Sequence, residues 1–401
     1  MGLSSGRSRD GGSDGGEHLE RARSLGPTLD AAADDIELGR ELPPAIATAL
    51  IEAGMFRLLQ PRSLGGAELR PAAYARIVEE IARHDASAAW CVGQACGCTM
   101  SAALMSAEAA RTIWGAPDGI VAWGPPDAAK ARTVPGGYRL TGNWSFASGS
   151  HHATWLGAHV AVFAEGGAPL TRPDGTAVIR TLLFPKTSAT MTDTWHVIGL
   201  KGTGSDSYSV DDLFVPADFA VHRDGKAEPR EKGPLYRFSS SNLYASSFAS
   251  VALGTARSVL DSFIELARDK IPRGARVTMR NNNVIQSEVA QSEARLASAR
   301  HYMLAVLDHS WDHVAAGDRL TIEQNAAIRL ATTWAIHQAR DVVDTLYQAA
   351  GATAIFNENP FERRFRDIHT VAQQVQGRQT HFETVGRIMM GLPPDATMFT
   401  F

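Results

Sequence analysis

Gln348-Ala349-Ala350-Gly351, then Asn359-Pro360, then Glu362-Arg363-Arg364-Phe365-Arg366-Asp367 is the stretch that decides the fold. Its first part ends a helix at a glycine and its middle makes a turn. Its last part starts another helix, in which Glu362, Arg363, Arg366 and Asp367 can pair one turn apart. Upstream, the apolar residues keep a helical period over roughly 243–269, 281–316 and 321–350, and downstream over 364–390. Four long helices with short connections predict a four-helix bundle.

Working toward the N-terminus, the texture changes. Ile120 to Trp123, Tyr138 to Phe146, Trp155 to Phe163, Ala177 to Phe184 and Tyr208 to Val215 are short runs rich in β-branched and aromatic residues, separated by Gly/Pro turns. They predict five or six antiparallel strands in a small sheet or barrel. Before them, helices are predicted after Pro43-Pro44, over Pro71 to His84, and along a buried Ala-, Cys- and Met-rich segment reaching Leu104. The expected organisation is a tail over 1–17, an N-terminal helical domain over 18–118, a β domain over 119–221, a linker over 222–236 and a bundle over 237–401. The chain is therefore mostly α with a middle β domain.

With 401 residues, 44% of them hydrophobic and 20% charged, the chain can bury a large core. Lys and Arg number 39 against 43 Asp and Glu, too even a balance for an electrostatic nucleic-acid binder. No apolar run reaches the roughly 20 residues of a membrane helix. Cys91, Cys96 and Cys98 are too few for a disulfide framework and read as small buried thiols. The first residues have no apolar signal core, and Gly6 stands where a myristoylation signal wants Ser or Thr, so a cytoplasmic protein is expected.

Several chemistries are excluded. There is no phosphate loop, no Rossmann glycine fingerprint and no nucleophile elbow. His309 and His313, with Asp308 and Asp312, have a metal-like spacing but lack a third ligand, and read as a solvated helix face. No metal is expected.

Three segments together resemble the acyl-CoA dehydrogenase fold. The first is Gly142-Asn143-Trp144-Ser145-Phe146-Ala147-Ser148-Gly149, with Trp155 beyond it. The second is Gly199-Leu200-Lys201-Gly202-Thr203-Gly204-Ser205-Asp206 followed by Val210 to Pro216, and the third is the stretch quoted first. The resemblance implies that Phe146 covers an edge of a flavin. It places Ser148, two residues on and on the same strand face, so that it offers a hydroxyl to flavin N5. Thr203, Gly204 and Ser205 would hold flavin or phosphate oxygens, and Gly351 would join them.

Acyl-CoA dehydrogenases of this fold carry a catalytic Glu before a Gly in the last helix, and here Gln376-Gly377 stands nearest. A glutamine cannot be a general base, and the other family location offers only Glu265. The Trp-Ser-Phe-Ala-Ser-Gly wording and the Arg-Asp-Ile-His of the last helix resemble instead the flavin-dependent monooxygenases of the fold. Those are oxygenase components that take reduced FMN or FAD from a separate reductase and use O2 through a C4a-hydroperoxyflavin. Phenol hydroxylases among them place a His where this chain has Gln374. Here Gln373, Gln374 and Gln376, with His369 a turn before, would form a polar wall; His369 is the candidate base, with His151 and His152 behind it. Gln94, Cys98, Trp123 and Gln374 would line the substrate pocket, with Trp90, Trp144 and Trp195 as further aromatics. The resemblance also implies a homotetramer with flavin between subunits. Two other readings stand beside this one: a flavin desaturase whose base lies elsewhere, and an inactive flavin-fold binding protein.

Overall fold

The structure, a computed structural model, describes residues 15–222 and 229–395. Residues 1–14 of the expected tail, 223–228 of the expected linker and 396–401 lie outside the described residues. Helix α1 (Gly16–Ala31) starts from Gly15, ahead of the expected boundary. It is followed by α2 (Ala33–Gly39) and α3 (Pro44–Glu52), the latter entered through Pro43 and Pro44 with their preset φ. Helix α4 (Pro71–His84) coincides with its expected span. Helix α5 (Ala86–Thr99) is capped by Asp85, whose carboxylate accepts from Ala88 N at 2.7 Å. Beyond Thr99 the chain tightens into a 3-10 turn over Met100–Leu104, and α6 (Ala107–Trp114) leads to the sheet.

The strands are β1 (Val121–Gly124), β2 (Pro126–Val134), β3 (Gly137–Trp144), β4 (Trp155–Phe163), β5 (Ile179–Pro185), β6 (Thr190–Thr192), β7 (Ser207–Pro216) and β8 (Ala220–His222). They form one eight-stranded sheet, ordered β6-β7-β3-β2-β4-β5-β8, with β1 also paired to β4. This corrects the expectation of five or six antiparallel strands. β1 and β2 run parallel to successive parts of β4, Val121 beside Trp155 and Lys130 beside Ala161, because a crossover separates them from it. The Ala-, Lys- and Arg-rich β2 has weak strand propensity and is held by β3 and β4 on its two sides.

A second correction concerns the site segment. Strand β3 stops at Trp144, and Phe146 has φ 60°, so Phe146 and Ser148 do not share a strand face. Residues 145–149 form a loop in which Ser148 N donates to Phe146 O at 2.9 Å.

The bundle consists of α7 (Ser240–Asp269), α8 (Asn283–Ala315), α9 (Ile322–Ala350) and a broken fourth member. The expected block 364–390 is α10 (Phe361–Gln373), a 3-10 turn over Val375–Gly377, and α11 (Thr380–Met389). Gln374 causes the break: its backbone is extended, and its side chain accepts from Gln376 N at 2.7 Å, engaging a donor the helix would have used. One buried apolar cluster runs through α4, α5, α7, α9 and the inner sheet face. Among the described residues no helix is long and apolar enough to cross a membrane.

Candidate active site

The Gly-rich turn and the 145–149 loop meet through hydroxyls. Ser148 Oγ and Ser205 Oγ lie 2.7 Å apart, as do Ser205 Oγ and Thr203 Oγ1. The two ends fix the direction of this chain. Trp90 Nε1, a donor only, bonds Ser148 Oγ at 3.1 Å, and Thr203 Oγ1 donates to the Leu200 carbonyl at 2.9 Å. Ser148 therefore donates to Ser205 and Ser205 to Thr203. All three hydroxyl residues are buried, with Ser148 at 8% exposure. Gly149 N donating to Thr203 O at 2.8 Å and Ser150 Oγ donating to Gly204 O at 3.1 Å lock the two loops together. Leu200 has φ 52°, so it and Phe146 are two residues in the left-handed region flanking the hydroxyl chain.

Asp206 organises the surroundings. Its Oδ1 accepts from Thr194 N at 2.9 Å and Trp195 N at 3.1 Å, and its Oδ2 bonds His151 Nε2 at 2.8 Å. Trp195 in turn meets the Phe146 ring edge-on at 5.9 Å. Phe146 is 61% exposed, an apolar wall with one open face.

Aromatics lead inward from Ser148. Trp90 stacks on Phe248 at 3.8 Å, and Phe248 on Tyr244 at 5.7 Å. Tyr244 OH donates to Gln94 O at 3.3 Å and lies 3.5 Å from Cys98 Sγ, while Gln94 Nε2 donates to Trp123 O at 3.4 Å. Gly97 makes this possible: a Cβ there would stand 2.2 Å from the Tyr244 ring. Gln94 is the one residue of α5 that is not fully buried, and Tyr244 is the one such residue between Asn242 and Ala256 of α7. Gln94 and Tyr244 are thus the partly exposed polar pair at the place where the two buried helix faces meet.

The structure thus brings together Ser148, Thr203, Gly204 and Ser205, and separately Gln94, Cys98 and Trp123, with Trp90 joining the two groups. Other expected residues lie elsewhere. His369 Nε2 bonds Asp344 Oδ1 of α9 at 2.8 Å and packs on Phe365, so its ring is engaged with the bundle. Gln374 caps α10, its side-chain oxygen already occupied, so the glutamine wall is a helix end and not a helix face. Gly351 is exposed on the turn after α9, with φ 60°. His151 is held by Glu41 and Asp206, and His152 is kept neutral by burial, its pKa lowered to about 3. Burial raises the pKa of Cys91 and pushes Cys96 up to about 12. Among the described residues no group of three metal-ligating side chains occurs. An open groove of about 1090 Å³, bordered by Lys201, Glu37, Glu362 and Arg366, adjoins the Gly-rich turn, with those charges paired to one another.

The dehydrogenase base is accounted for as well. Gln376 accepts from Arg329 Nη1, and Glu265 pairs with Arg268 on the exposed face of α7. Neither place puts a carboxylate beside the hydroxyl chain.

Two family models match, the acyl-CoA dehydrogenase N-terminal domain over residues 25–114 and the C-terminal domain over 246–378. An indole-3-acetate monooxygenase of Pseudomonas putida is 30% identical over 373 residues, covering 91% of this chain and 93% of the relative. This chain belongs to the flavin-dependent monooxygenases of the acyl-CoA dehydrogenase fold. The oxygenase subunit HsaA of Rhodococcus jostii, itself a flavin-dependent monooxygenase, is 26% identical over 88% of this chain and 92% of its own length. Among solved structures, the 3-HSA hydroxylase from Rhodococcus sp. RHA1 superposes with a TM-score of 0.88 at 26% identity, covering 96% of this chain and 99% of that one. As a monooxygenase of this family, the protein uses reduced flavin and O2.

The residues fit a flavin. A buried hydroxyl chain, glycines where backbone must approach closely, and an exposed aromatic wall suit a flat heterocycle with polar edges. Sequence reasoning missed Tyr244 and Phe248. Tyr244 and Phe248 sit in ordinary helical sequence and carry no signal.

Proposed function

We propose that this chain is the oxygenase component of a two-component system, accepting reduced flavin from a separate NAD(P)H:flavin reductase and oxygenating a small, flat aromatic substrate. The hydroxyl chain Ser148–Ser205–Thr203, beside the aromatic row of Trp90, Phe248 and Tyr244, is the observation that carries this reading. Phe146, Ser148, Thr203, Gly204 and Ser205 would hold the flavin, which supplies the activation of O2 when bound. Ser148 Oγ accepts from Trp90 and gives its own proton to Ser205, leaving a second lone pair for a proton-bearing ring nitrogen. Trp90, Phe248 and Trp123 exclude water from that position. Gln94, Cys98 and Trp123 line the substrate side, while Gln374 serves to end α10 and His369 fixes α10 on α9 through Asp344. Neither His369 nor Gln374 then acts as a base, which favours a substrate electron-rich enough to need none.

A homotetramer, with Gly351 lent to the flavin of a neighbouring copy, accounts for the exposure of Ile355 and Phe356 on the same turn. Cytoplasmic residence suits the buried free thiols. The reading is tested by O2 uptake and product mass with a free reductase, NAD(P)H and either FMN or FAD. A product heavier by one oxygen atom is expected. No O2-dependent product with either flavin across a panel of indoles, phenols and thiophenes would sink it.

A further inference from the structure

His151 lies in the turn just beyond Ser148, and both of its ring nitrogens face carboxylates. Nε2 bonds Asp206 Oδ2 at 2.8 Å, and Nδ1 meets Glu41 Oε2. A neutral imidazole donates through one nitrogen only. The ring therefore bonds both carboxylates when doubly protonated and only one of them when neutral.

The two carboxylates belong to different parts of the chain. Asp206 directly follows the hydroxyl chain, accepts from Thr194 N and Trp195 N, and through its own carbonyl from Ala147 N at 3.0 Å. Glu41 lies in the connector between α2 and α3, next to Arg40 with its φ of 57°. That connector covers the Gly-rich turn closely. A Cβ on Gly204 would stand 2.6 Å from the His151 ring and 3.2 Å from the Arg40 carbonyl. Arg40 also forks onto Asp193, both bonds at 2.7 Å, and donates to Trp195 O at 3.2 Å. Glu41 and Arg40 thus reach the Trp195 segment by two routes, and Trp195 meets the Phe146 ring. The other titratable groups around the ring are Lys186, whose Nζ donates to the His151 carbonyl at 2.9 Å, the neutral His152, and His196, which lies 3.4 Å from Asp193.

We propose that His151 is a positioning residue for the flavin site. Clamped between Glu41 and Asp206, it keeps the Trp195–Phe146 wall in register with the hydroxyl chain, and the clamp loosens when the ring gives up its second proton. The proposal rests on the flavin lying against Phe146 and Ser148. His151 acts through Asp206 and takes no part in the chemistry.

Reduced FMN and reduced FAD are the probes, with binding to the full chain measured by anaerobic equilibrium dialysis between about pH 5.5 and 8.5. The flavin's own titration is common to all the proteins and cancels between them. Relative to His151→Gln, the unmodified protein should lose about three- to tenfold in affinity as pH rises, the effect of one charge-assisted hydrogen bond. His151→Gln should bind at the weaker level throughout. Glu41→Gln sets an amide beside Nδ1 that can donate to the neutral ring or accept from the protonated one, and should keep the tighter level across the range. Thermal midpoints show that each variant is folded. A histidine that serves stability alone would lower the midpoint and leave the three binding profiles parallel. Parallel profiles in folded proteins, or a Glu41→Gln profile as steep as that of the unmodified protein, would overturn the assignment. Phe146→Ala binding flavin as tightly as the unmodified protein would refute the placement of the flavin instead.

Discussion

Ser148 shows how one hydroxyl acquires a fixed role. The Trp90 indole can only donate and the Leu200 carbonyl can only accept, so the serine between them is polarised without any charged neighbour. The cost is local strain, carried by Phe146 and Leu200 in left-handed backbone on either side. Replacing Ser148 with Ala leaves the buried Trp90 N–H without its acceptor, at a cost of about 1–3 kcal/mol to stability. The larger effect is expected on coupling: more hydrogen peroxide released per turnover and less oxygenated product, measured together in a coupled assay. An unchanged ratio removes Ser148 from the flavin contacts.

At the scale of elements, α10 and the Gly-rich turn are tied by Asp367. Its Oδ1 accepts from Leu200 N at 2.6 Å, and Gly199 lets the turn approach so closely that a Cβ would stand 2.3 Å from Arg366 O. Burial, with Asp85 nearby, pushes the Asp367 carboxyl up to about 7. The folded state thus holds this proton more tightly than the unfolded chain does. Its contribution is complete at acid pH, is lost as pH rises from about 4 toward 7, and is absent above. Chemical unfolding of the native protein should show a stability component falling by on the order of a few kcal/mol over that window. Asp367→Asn, which keeps an acceptor for Leu200 N, should flatten it. A slope identical in the two proteins would assign the dependence to other groups.

Across the whole molecule, the N-terminal helices and the bundle share one core. The α4–α7 contact is close because Gly254 faces the Glu79 carbonyl, where a Cβ would come within 2.2 Å, and Glu79 also receives Arg300 Nε of α8 at 2.7 Å. Gly254→Ala should therefore cost about 1–3 kcal/mol through a forced separation of the helices. Gly386→Ala, in α11 with nothing within 4 Å of the added methyl, should be neutral or stabilise by up to about 1 kcal/mol. Unfolding curves for the pair measure the difference, and equal effects would contradict the packing described.

The sequence by itself determined the order of helices, sheet and bundle, and it singled out Ser148, Thr203 and Ser205 without their hydrogen-bonding to one another. Helical period, strand composition and Gly/Pro punctuation are local properties, and Ser148, Thr203 and Ser205 stand in segments whose wording marks them. Tertiary structure alone decided the rest. Parallel pairing of β1 and β2 with β4 depends on a crossover that no local signal encodes, and α10 ends at Gln374 because a side chain captured the Gln376 N–H. His369 turned to Asp344 because the face of α10 that meets the Gly-rich turn is taken by Asp367 and Thr370. Arg329, Ser241 and Gln376 come from three segments far apart in the chain. Only packing brings them together, since a hydrogen bond to a buried guanidinium depends on distance in space and not on separation along the sequence.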